Sequence, residues 1–211
     1  MKFNPKELSK SQVYKLLISA LIPRPIALVS TINQDGVVNV APFSFFGAMS
    51  SKPPIIYVSI DRKRDGDKKD TLKNIELTGD FVVNIVTEEI AEKMNICAVD
   101  FPYGISESQI AGLTPVQSEL VKSPRIAESP INFECKVLKI IEIGDAPNSV
   151  VFGEILLFHV NDEILENGIV NPRKLKVVGR LGGNFYTLVD NVFEMKRMSY
   201  EEYRKIYGMN D

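Results

Sequence analysis

The sequence predicts a mainly β fold, an antiparallel β-barrel with accessory α-helices. Its apolar segments are short, and turn residues such as Asp35-Gly36 separate them at hairpin-like spacing. No strand–helix–strand repeat predicts a parallel sheet, and no G-x-G-x-x-G motif follows the first predicted strand. These observations favour a barrel over a Rossmann fold.

In the N-terminal half, three helices and four strands follow one another without a repeat. Apolar residues at three- and four-residue spacing predict a first helix over residues 6–20, which Pro23 and Pro25 end. Apolar segments predict strands at residues 24–32, 37–41, 55–60 and 81–86. Further helices are predicted at residues 69–77, after the third strand, and at residues 88–98.

In the C-terminal half, residues 101–123 predict an irregular loop with one short helix. A loop of this length inside a compact domain often carries function. Strands follow at residues 131–142 and 150–159, and Gly153 indicates a bulge or a close backbone approach. A glycine turn, a last short strand at residues 192–197 and a helix that begins at Ser199 with a capping-box pattern complete the chain.

The composition is that of a globular protein. The chain has 211 residues, which suits a single domain over residues 1–211, and its net charge of −2 predicts no general attraction to nucleic acid or to an anionic membrane. The apolar runs are too short to span a bilayer and the N-terminus does not resemble a signal peptide, so we expect a cytoplasmic protein.

The cysteine and histidine content argues against a metal site or a disulfide framework. Cys97 and Cys135 lie far apart without a CxxC motif, and His159 is the single histidine. Both cysteines are expected to be small buried side chains and not redox thiols.

A basic turn between a strand and a helix predicts an anion-binding site. The basic residues of this turn are Arg62, Lys63, Arg64, Lys68 and Lys69. Asp70 or Thr71 is expected to cap the helix that follows. A helix start offers unpaired N–H groups and the positive end of the helix dipole, so the site suits a phosphate group. The alternative is an ordinary basic loop before a capped helix.

A second candidate site is the sequence Ala-Pro-Phe-Ser-Phe-Phe at residues 41–46. Pro42 removes one donor from the sheet, so the strand pairing is expected to change there. Phenylalanine rings can flank a planar ligand, and freed backbone N–H groups can bond its polar edge. The alternative is an aromatic core cluster at a bulge. Together, a planar-ligand pocket and a phosphate site suit a mononucleotide cofactor.

Three segments together resemble the flavin reductase-like family, the FMN-binding split barrels. They are RPIALVSTINQDGVVNVAPFSFFGAMSSKPPIIYVSI, RDGDKKDTLKNI and GDFVVNIVTEEIAEKMN. GRLGGNFYT, near the C-terminus, is similar to the flavoredoxin-like branch of that family. PRPIALVST with KDTLKNI at this separation is the most specific signal, and the similarity covers about residues 21–197.

The resemblance implies a six-stranded antiparallel Greek-key split barrel at about residues 21–197, with helical extensions at both ends. It also implies non-covalently bound FMN and a homodimer with the flavin near the subunit interface. The matching positions are Lys69, Asp70 and Thr71 for the FMN phosphate, Ser59 and Arg62 beside it, Ser44, Phe45 and Phe46 along the isoalloxazine, Arg24 and Asn39 beside the ring, and Arg180 with Gly182, Gly183 and Tyr186 near the flavin or the dimer interface.

The chain departs from the wider family at one place. Many nicotinamide-dependent members carry Gly-Asp-His before the penultimate barrel strand, whereas residues 144–149 here read Gly-Asp-Ala-Pro-Asn-Ser. This difference puts direct oxidation of NAD(P)H in doubt. His159 lies later and is expected to be a half-buried strand histidine with one satisfied ring nitrogen, the alternative being a ligand or proton-transfer role.

The function that the resemblance implies is an FMN-dependent oxidoreductase that passes hydride or electrons to a flavin or to a redox-partner protein, with NAD(P)H as a candidate co-substrate. Hydride transfer to flavin N5 requires no acid or nucleophile from the protein, so no catalytic residue is assigned. The alternatives are a non-catalytic FMN-binding module for storage or sensing, and an enzyme like pyridoxamine-phosphate oxidase.

Overall fold

The computed structural model of the protein describes residues 1–145 and 147–208. The strands are β1 (Ala27–Ile32), β2 (Val38–Phe43), β3 (Phe46–Ser51), β4 (Pro54–Ile60), β5 (Asp80–Ile85), β6 (Pro115–Val116), β7 (Arg125–Ile126), β8 (Ile131–Ile143), β9 (Asn148–Val160), β10 (Leu165–Glu166), β11 (Ile169–Val170), β12 (Val178–Arg180) and β13 (Tyr186–Leu188). The helices are α1 (Lys10–Ala20), α2 (Asp70–Thr78), α3 (Ala91–Ile96), α4 (Glu107–Ala111), α5 (Pro172–Leu175) and α6 (Tyr200–Tyr207).

Seven of the strands form one antiparallel sheet in the order β2-β1-β5-β8-β9-β4-β3. Its two edge strands, β2 and β3, are consecutive in the chain, and only Ser44 and Phe45 separate them. The sheet must therefore curl until its edges meet at these two residues, which closes it into a barrel that is split there. The Phe45 carbonyl accepts a bond from Ser59 N at 2.8 Å and fastens this link to β4.

The predicted mainly β, antiparallel architecture is confirmed, with seven strands in the large sheet where the resemblance implies six. The strand that the sequence pattern did not separate is β3. Its last four residues are exposed, so it lacks the alternation of buried and exposed residues that identifies a strand in sequence.

Two hydrophobic clusters use opposite faces of the sheet. Val29 of β1 belongs to the cluster inside the barrel, and α2 adds Leu72 and Ile75 to it. The neighbouring residue Leu28 faces the other way and packs in a second cluster with Met94 of α3. Successive side chains of a strand point to opposite faces, so β1 is buried on both sides.

Gly153 of β9 lies against the barrel interior. A Cβ atom at this position would lie 2.5 Å from Cζ of the fully buried Phe81. The partner of Gly153, Val137, directly precedes a register shift of β8, so the bulge predicted as one alternative for Gly153 is confirmed, while its close neighbour is a side chain and not backbone. The β8–β9 pairing shifts register at two places along the same hairpin, which bends it around the barrel.

Helix α2 begins at Asp70, so its N-cap precedes both of the cap residues that the sequence predicts. The N-cap residue is Lys69, so the prediction of Asp70 or Thr71 as the cap was wrong. The reason lies in tertiary contacts of the two side chains. The Asp70 carboxylate accepts from Lys63 Nζ at 2.7 Å, and the Thr71 hydroxyl donates to Asn39 Oδ1 at 3.4 Å. Neither side chain bonds a backbone N–H of the first turn.

Other helix boundaries differ for local reasons. Helix α1 begins at Lys10 because Ser9 and Gln12 form a capping box, and Pro5–Glu7 form a separate 3-10 turn. The predicted helix at residues 88–98 divides into the 3-10 turn Glu88–Ile90 and α3. None of the helices in the described ranges is long and apolar enough to cross a membrane.

The C-terminal region contains one correct and one wrong prediction. Residues 192–197 form no strand, because no described strand pairs with them and isolated extended backbone gains no ladder bonds. The predicted helix at Ser199 is confirmed as α6, with a capping box between Ser199 and Glu202.

His159 is held by a buried carboxylate. Its Nε2 lies 2.7 Å from Oε1 of Glu134, whose side chain is fully buried. Burial alone raises the pKa of Glu134, but the N–H groups of Glu119 and Leu120 and the His159 ring outweigh burial and hold this pKa below its ordinary value. The predicted half-buried strand histidine with a satisfied ring nitrogen is confirmed.

Candidate cofactor site

A cleft of about 860 Å³ lies where the two edges of the sheet meet. Its walls come from the ends of β2 and β4, the turn of residues 61–69, the N-terminus of α2 and residues 97–101. Eight predicted site residues line it, namely Asn39, Ser44, Phe45, Ser59, Arg62, Lys69, Asp70 and Thr71. The two candidate sites predicted from the sequence therefore form one cleft.

The N-terminus of α2 forms one end of this cleft. Among the described residues, no acceptor bonds the backbone N–H groups of Asp70 and Thr71. The positive end of the helix dipole lies at the same place. A helix start with free N–H groups is a ready site for a phosphate group.

Basic side chains surround this helix start, and carboxylates hold them in place. Lys69 Nζ lies 3.1 Å from Asp100 Oδ1, and Lys63 Nζ lies 2.7 Å from Asp70 Oδ1. Arg62 pairs with a glutamate of β8. Acidic neighbours offset these three cations, so the local geometry of the donors contributes to anion binding here as well as the charge.

Arg24 supports the link between the sheet edges from outside the cleft lining. Its Nε donates to Ser44 Oγ at 3.2 Å, and its terminal nitrogens donate to the carbonyls of Ile18, Leu21 and Leu181 at 2.6 to 3.0 Å. Four of its five N–H donors are thereby used. The structure thus places Arg24 behind Ser44 and not in the wall of the cleft.

Two other predicted site residues also lie outside the cleft lining. Phe46 packs on the cluster inside the barrel. Arg180, in the β12–β13 hairpin, donates to the Gly183 carbonyl at 2.6 Å, and its guanidinium lies 4.3 Å from the Tyr186 ring centroid. Two backbone hydrogen bonds join this hairpin to Arg24. Arg24 N donates to the Arg180 carbonyl at 2.9 Å, and Arg180 N donates to the Arg24 carbonyl at 2.8 Å, so the hairpin lies beside the arginine that holds Ser44.

Glu107 lines the cleft although sequence reasoning did not select it. It is the first residue of α4, and its Oε2 accepts from Val40 N at 3.0 Å and from Asn39 Nδ2 at 3.2 Å. Burial raises the pKa of Glu107 above its ordinary value, the charge of Asp70 acts in the same direction, and the two hydrogen bonds oppose them. Its place in the long irregular loop was the one signal in the sequence.

The segment that departs from the Gly-Asp-His pattern also borders the cleft. Pro147 and Asn148 line it, and Asn148 Nδ2 donates to Ser59 Oγ at 3.4 Å. Ala146 lies outside the described residues. His159 lines a separate cleft with Thr87, so it does not replace the missing imidazole.

Both cysteines are buried, as predicted. Cys97 lines the cleft, and burial raises its pKa to about 12, so its thiol is protonated at neutral pH. Cys135 belongs to the cluster inside the barrel, where burial likewise raises its pKa. Neither thiol has the low pKa of a redox-active cysteine.

Comparison with known proteins identifies the family. Residues 19–178 match the model of the flavin reductase like domain. The chain belongs to the flavin reductase-like family. An uncharacterised family relative from Aquifex aeolicus is 46% identical over 187 residues, which cover 88% of this chain and 94% of that protein.

Solved structures similar to this flavin reductase-like protein include a monooxygenase component and a nitroreductase. Nitrilotriacetate monooxygenase component B from Bacillus cereus has a TM-score of 0.89 and 36% identity, covering 92% of this chain and 98% of that chain. For 2-nitrobenzoate 2-nitroreductase from Pseudomonas fluorescens, the TM-score is 0.86 with 35% identity, covering 95% and 98%. Flavoredoxin of Desulfovibrio vulgaris, 23% identical with a TM-score of 0.72 over 95% and 98%, shares the fold.

Proposed function

We propose that this protein is an FMN-dependent oxidoreductase that passes reducing equivalents through its bound flavin to a free flavin or to a partner protein. The observation that carries the proposal is the cleft. Free helix N–H groups and Lys69 lie at one end of it, and the link Ser44-Phe45 lies at the split of the barrel.

The helix end of the cleft fits a phosphate group. The backbone N–H groups of Asp70 and Thr71 and the Lys69 ammonium group would donate to it, and the Thr71 hydroxyl would join them by turning from Asn39 to the phosphate. Hydrogen bonds to a charged acceptor are stronger than those between neutral groups, so a phosphomonoester gains more here than an uncharged end would.

The barrel end of the cleft fits a planar ring with a polar edge. Among the described residues, no acceptor bonds the backbone N–H groups of Ser44 and Phe45, because both residues lie between strands. These donors would bind and orient the polar edge of an isoalloxazine beside the Phe45 side chain. When bound, FMN supplies the hydride and electron chemistry, and the protein fixes its position and controls access to it.

The similar structures support a reductive role with a separate acceptor. One is a component of a monooxygenase and another is a nitroreductase, each close to this chain over nearly its whole length. We infer that this protein delivers reducing equivalents to a second molecule. A reduced nicotinamide nucleotide is the first electron donor to test, because the missing Gly-Asp-His pattern puts its use by this protein in doubt.

Anaerobic reduction of the FMN-loaded protein tests this function. Rapid bleaching of the flavin absorbance by NADH or NADPH would support a reductase. Bleaching by dithionite, but by neither nucleotide, would assign the protein to protein-linked electron transfer or to FMN storage. A protein that does not bind added FMN would overturn the cofactor assignment.

We further propose that the protein is a homodimer. Helix α1 has no buried residue, and its Leu17 side chain and the following Leu21 and Ile22 are exposed. Phe193 and Met195, in the segment before α6, are also largely exposed. Exposed apolar groups of this kind often mark an interface with another chain. Because Lys10 of α1 lines the cleft, a partner on α1 would lie beside the cofactor site.

A further inference from the structure

A chain of three polar side chains joins the start of α2 to a buried carboxyl group. Thr71 Oγ1 donates to Asn39 Oδ1 at 3.4 Å, and Asn39 Nδ2 donates to Glu107 Oε2 at 3.2 Å. All three side chains are buried, and all three line the cleft. The carboxyl group of Glu107 therefore belongs to the same wall as the proposed phosphate site.

The two oxygens of this carboxyl group have different surroundings. Oε2 accepts from both Asn39 and the Val40 N–H. Within residues 1–145 and 147–208, no other residue donates to Oε1. Glu107 lines the cleft and its Oε2 is engaged by β2, which leaves Oε1 to bond a ligand.

The charge of Asp70 and the burial of Glu107 favour its neutral form, whereas the two hydrogen-bond donors on β2 favour its carboxylate. Asp70 of α2 contributes a negative charge, and Cys97, after α3, contributes a neutral thiol. Strand β2 contributes the uncharged Asn39 amide and the Val40 N–H. A phosphate at the start of α2 would add further negative charge to this wall and make a second carboxylate there less favourable.

We propose that Glu107 takes up one proton from solvent when the phosphate of FMN binds in the cleft. Protonated Glu107 then presents a hydrogen-bond donor toward the anionic end of the cofactor in place of a repelling charge. The inference rests on the proposed function, because it requires the FMN phosphate at the start of α2. No electron transfer is involved.

The proposal fixes the direction of a pH dependence. Below the Glu107 pKa of the free protein, the group is neutral in both states and binding takes up no proton. Between that pKa and the higher pKa of the complex, the Glu107 term lowers FMN affinity by about tenfold for each pH unit. Above both values, this term is constant and unfavourable.

Isothermal titration calorimetry of the FMN-free protein with FMN, at several pH values and in two buffers of different ionisation enthalpy, tests the proposal. Glu107→Gln keeps the shape of the side chain and an acceptor for Val40 N–H, and its amide donor imitates the protonated acid. We expect the wild type to take up as much as one proton more than Glu107→Gln. Titration of the FMN phosphate itself is common to both proteins and cancels in the difference.

The matched control is Glu92→Gln, which removes an exposed carboxylate of α3 and should behave as wild type. Equal pH slopes for wild type and Glu107→Gln would overturn the proposal and leave the FMN assignment intact. A wild type that binds no FMN at any pH would overturn both. Should Glu107→Gln fail to fold, Glu107→Ala replaces it in the difference, and equal proton uptake by Glu107→Ala and the wild type overturns the proposal.

Riboflavin, which lacks the phosphate, tests the origin of the charge. Its binding should show no difference in pH slope between wild type and Glu107→Gln. A difference of the same size with riboflavin and with FMN would overturn the link to the phosphate.

Discussion

At the scale of single residues, Arg24 shows how a side chain outside a cleft can define its wall. Its guanidinium donates hydrogen bonds to the carbonyls of Ile18 and Leu21 at the end of α1. It also donates to the Leu181 carbonyl and to the Ser44 hydroxyl, which are distant from α1 in sequence. A planar fork with several fixed donors is needed to reach all four acceptors. Lysine has a single nitrogen on a flexible stem and cannot reproduce this geometry.

Arg24→Lys is therefore expected to lower the free energy of unfolding by about 2 to 3 kcal/mol, because partly buried carbonyls lose their donors. Urea unfolding followed by circular dichroism measures this. Arg180→Lys is the matched control, since its guanidinium bonds one exposed carbonyl, and should cost less than about 1 kcal/mol. Equal losses in the two variants would contradict the role given to Arg24.

The proposed phosphate donors can be tested on the same scale. Lys69→Ala combined with Thr71→Ala should weaken FMN binding by about tenfold or more, because two direct donors to a charged group are lost. Quenching of flavin fluorescence gives the dissociation constant, and circular dichroism checks the fold. Lys73→Ala removes the same charge one turn later, where the lysine pairs with Asp67 at 2.7 Å, and should bind FMN as wild type does. Unchanged flavin content in the double variant would contradict the phosphate assignment.

At the scale of secondary structure elements, close contact between β5 and β9 leaves no room for a side chain at Gly153. An added Cβ would lie 2.5 Å and 2.8 Å from two ring atoms of Phe81, which is fully buried. Gly153→Ala should therefore cost about 1 to 3 kcal/mol of stability, measured by urea unfolding. Combined with Phe81→Leu, which removes the clashing ring, Gly153→Ala should cost less than the sum of the two single losses of stability predicts. A double variant no more stable than the sum of the single effects would contradict the steric cause.

The β8–β9 hairpin is tied to the loop of residues 117–123 by Glu134, which makes this contact sensitive to acid. The pKa of Glu134 is depressed in the folded protein, so its ionised form contributes stability above the unfolded pKa of about 4.3, and this stability is lost as the pH falls through the folded pKa. Urea unfolding at a series of pH values should show a steeper acid loss in wild type than in Glu134→Gln. Glu201→Gln, on the exposed start of α6, should keep the wild-type slope.

At the scale of the whole molecule, exposed apolar groups at both ends of the chain support a second copy as the partner. Phe193→Ser with Met195→Ser should shift a homodimer toward monomer, because both side chains are mainly exposed in one protomer, at 76% and 79%. Sedimentation velocity over a range of concentrations measures the effect. Ile169→Ser, which is 72% exposed in the β10–β11 hairpin, is the control. A wild type that sediments as a monomer at all concentrations would contradict the homodimer.

How far the sequence predicts this molecule depends on how local each feature is. The apolar runs of β1 and β5 are buried on both faces and bounded by turns, so their pattern sufficed. Strand β3 is an exposed edge, and its existence depends on β4 beside it. Glu107 was missed because its hydrogen bond reaches Val40, 67 residues earlier in the chain, and no local pattern carries such a contact.

The strand order has a consequence for the chain while it is being synthesised. Strands β2, β1 and β5 can pair as soon as β5 has left the ribosome. Strand β4 instead pairs with β9, and because Ile55 lies opposite Glu154, this pairing must wait until about 100 more residues have been synthesised. Until then the β3–β4 hairpin keeps an unpaired edge and the apolar side chains of Ile56, Val58 and Ile60 without their final cover. Because the cleft lies at the point of closure, a nascent chain that lacks β9 has no complete site to offer a flavin.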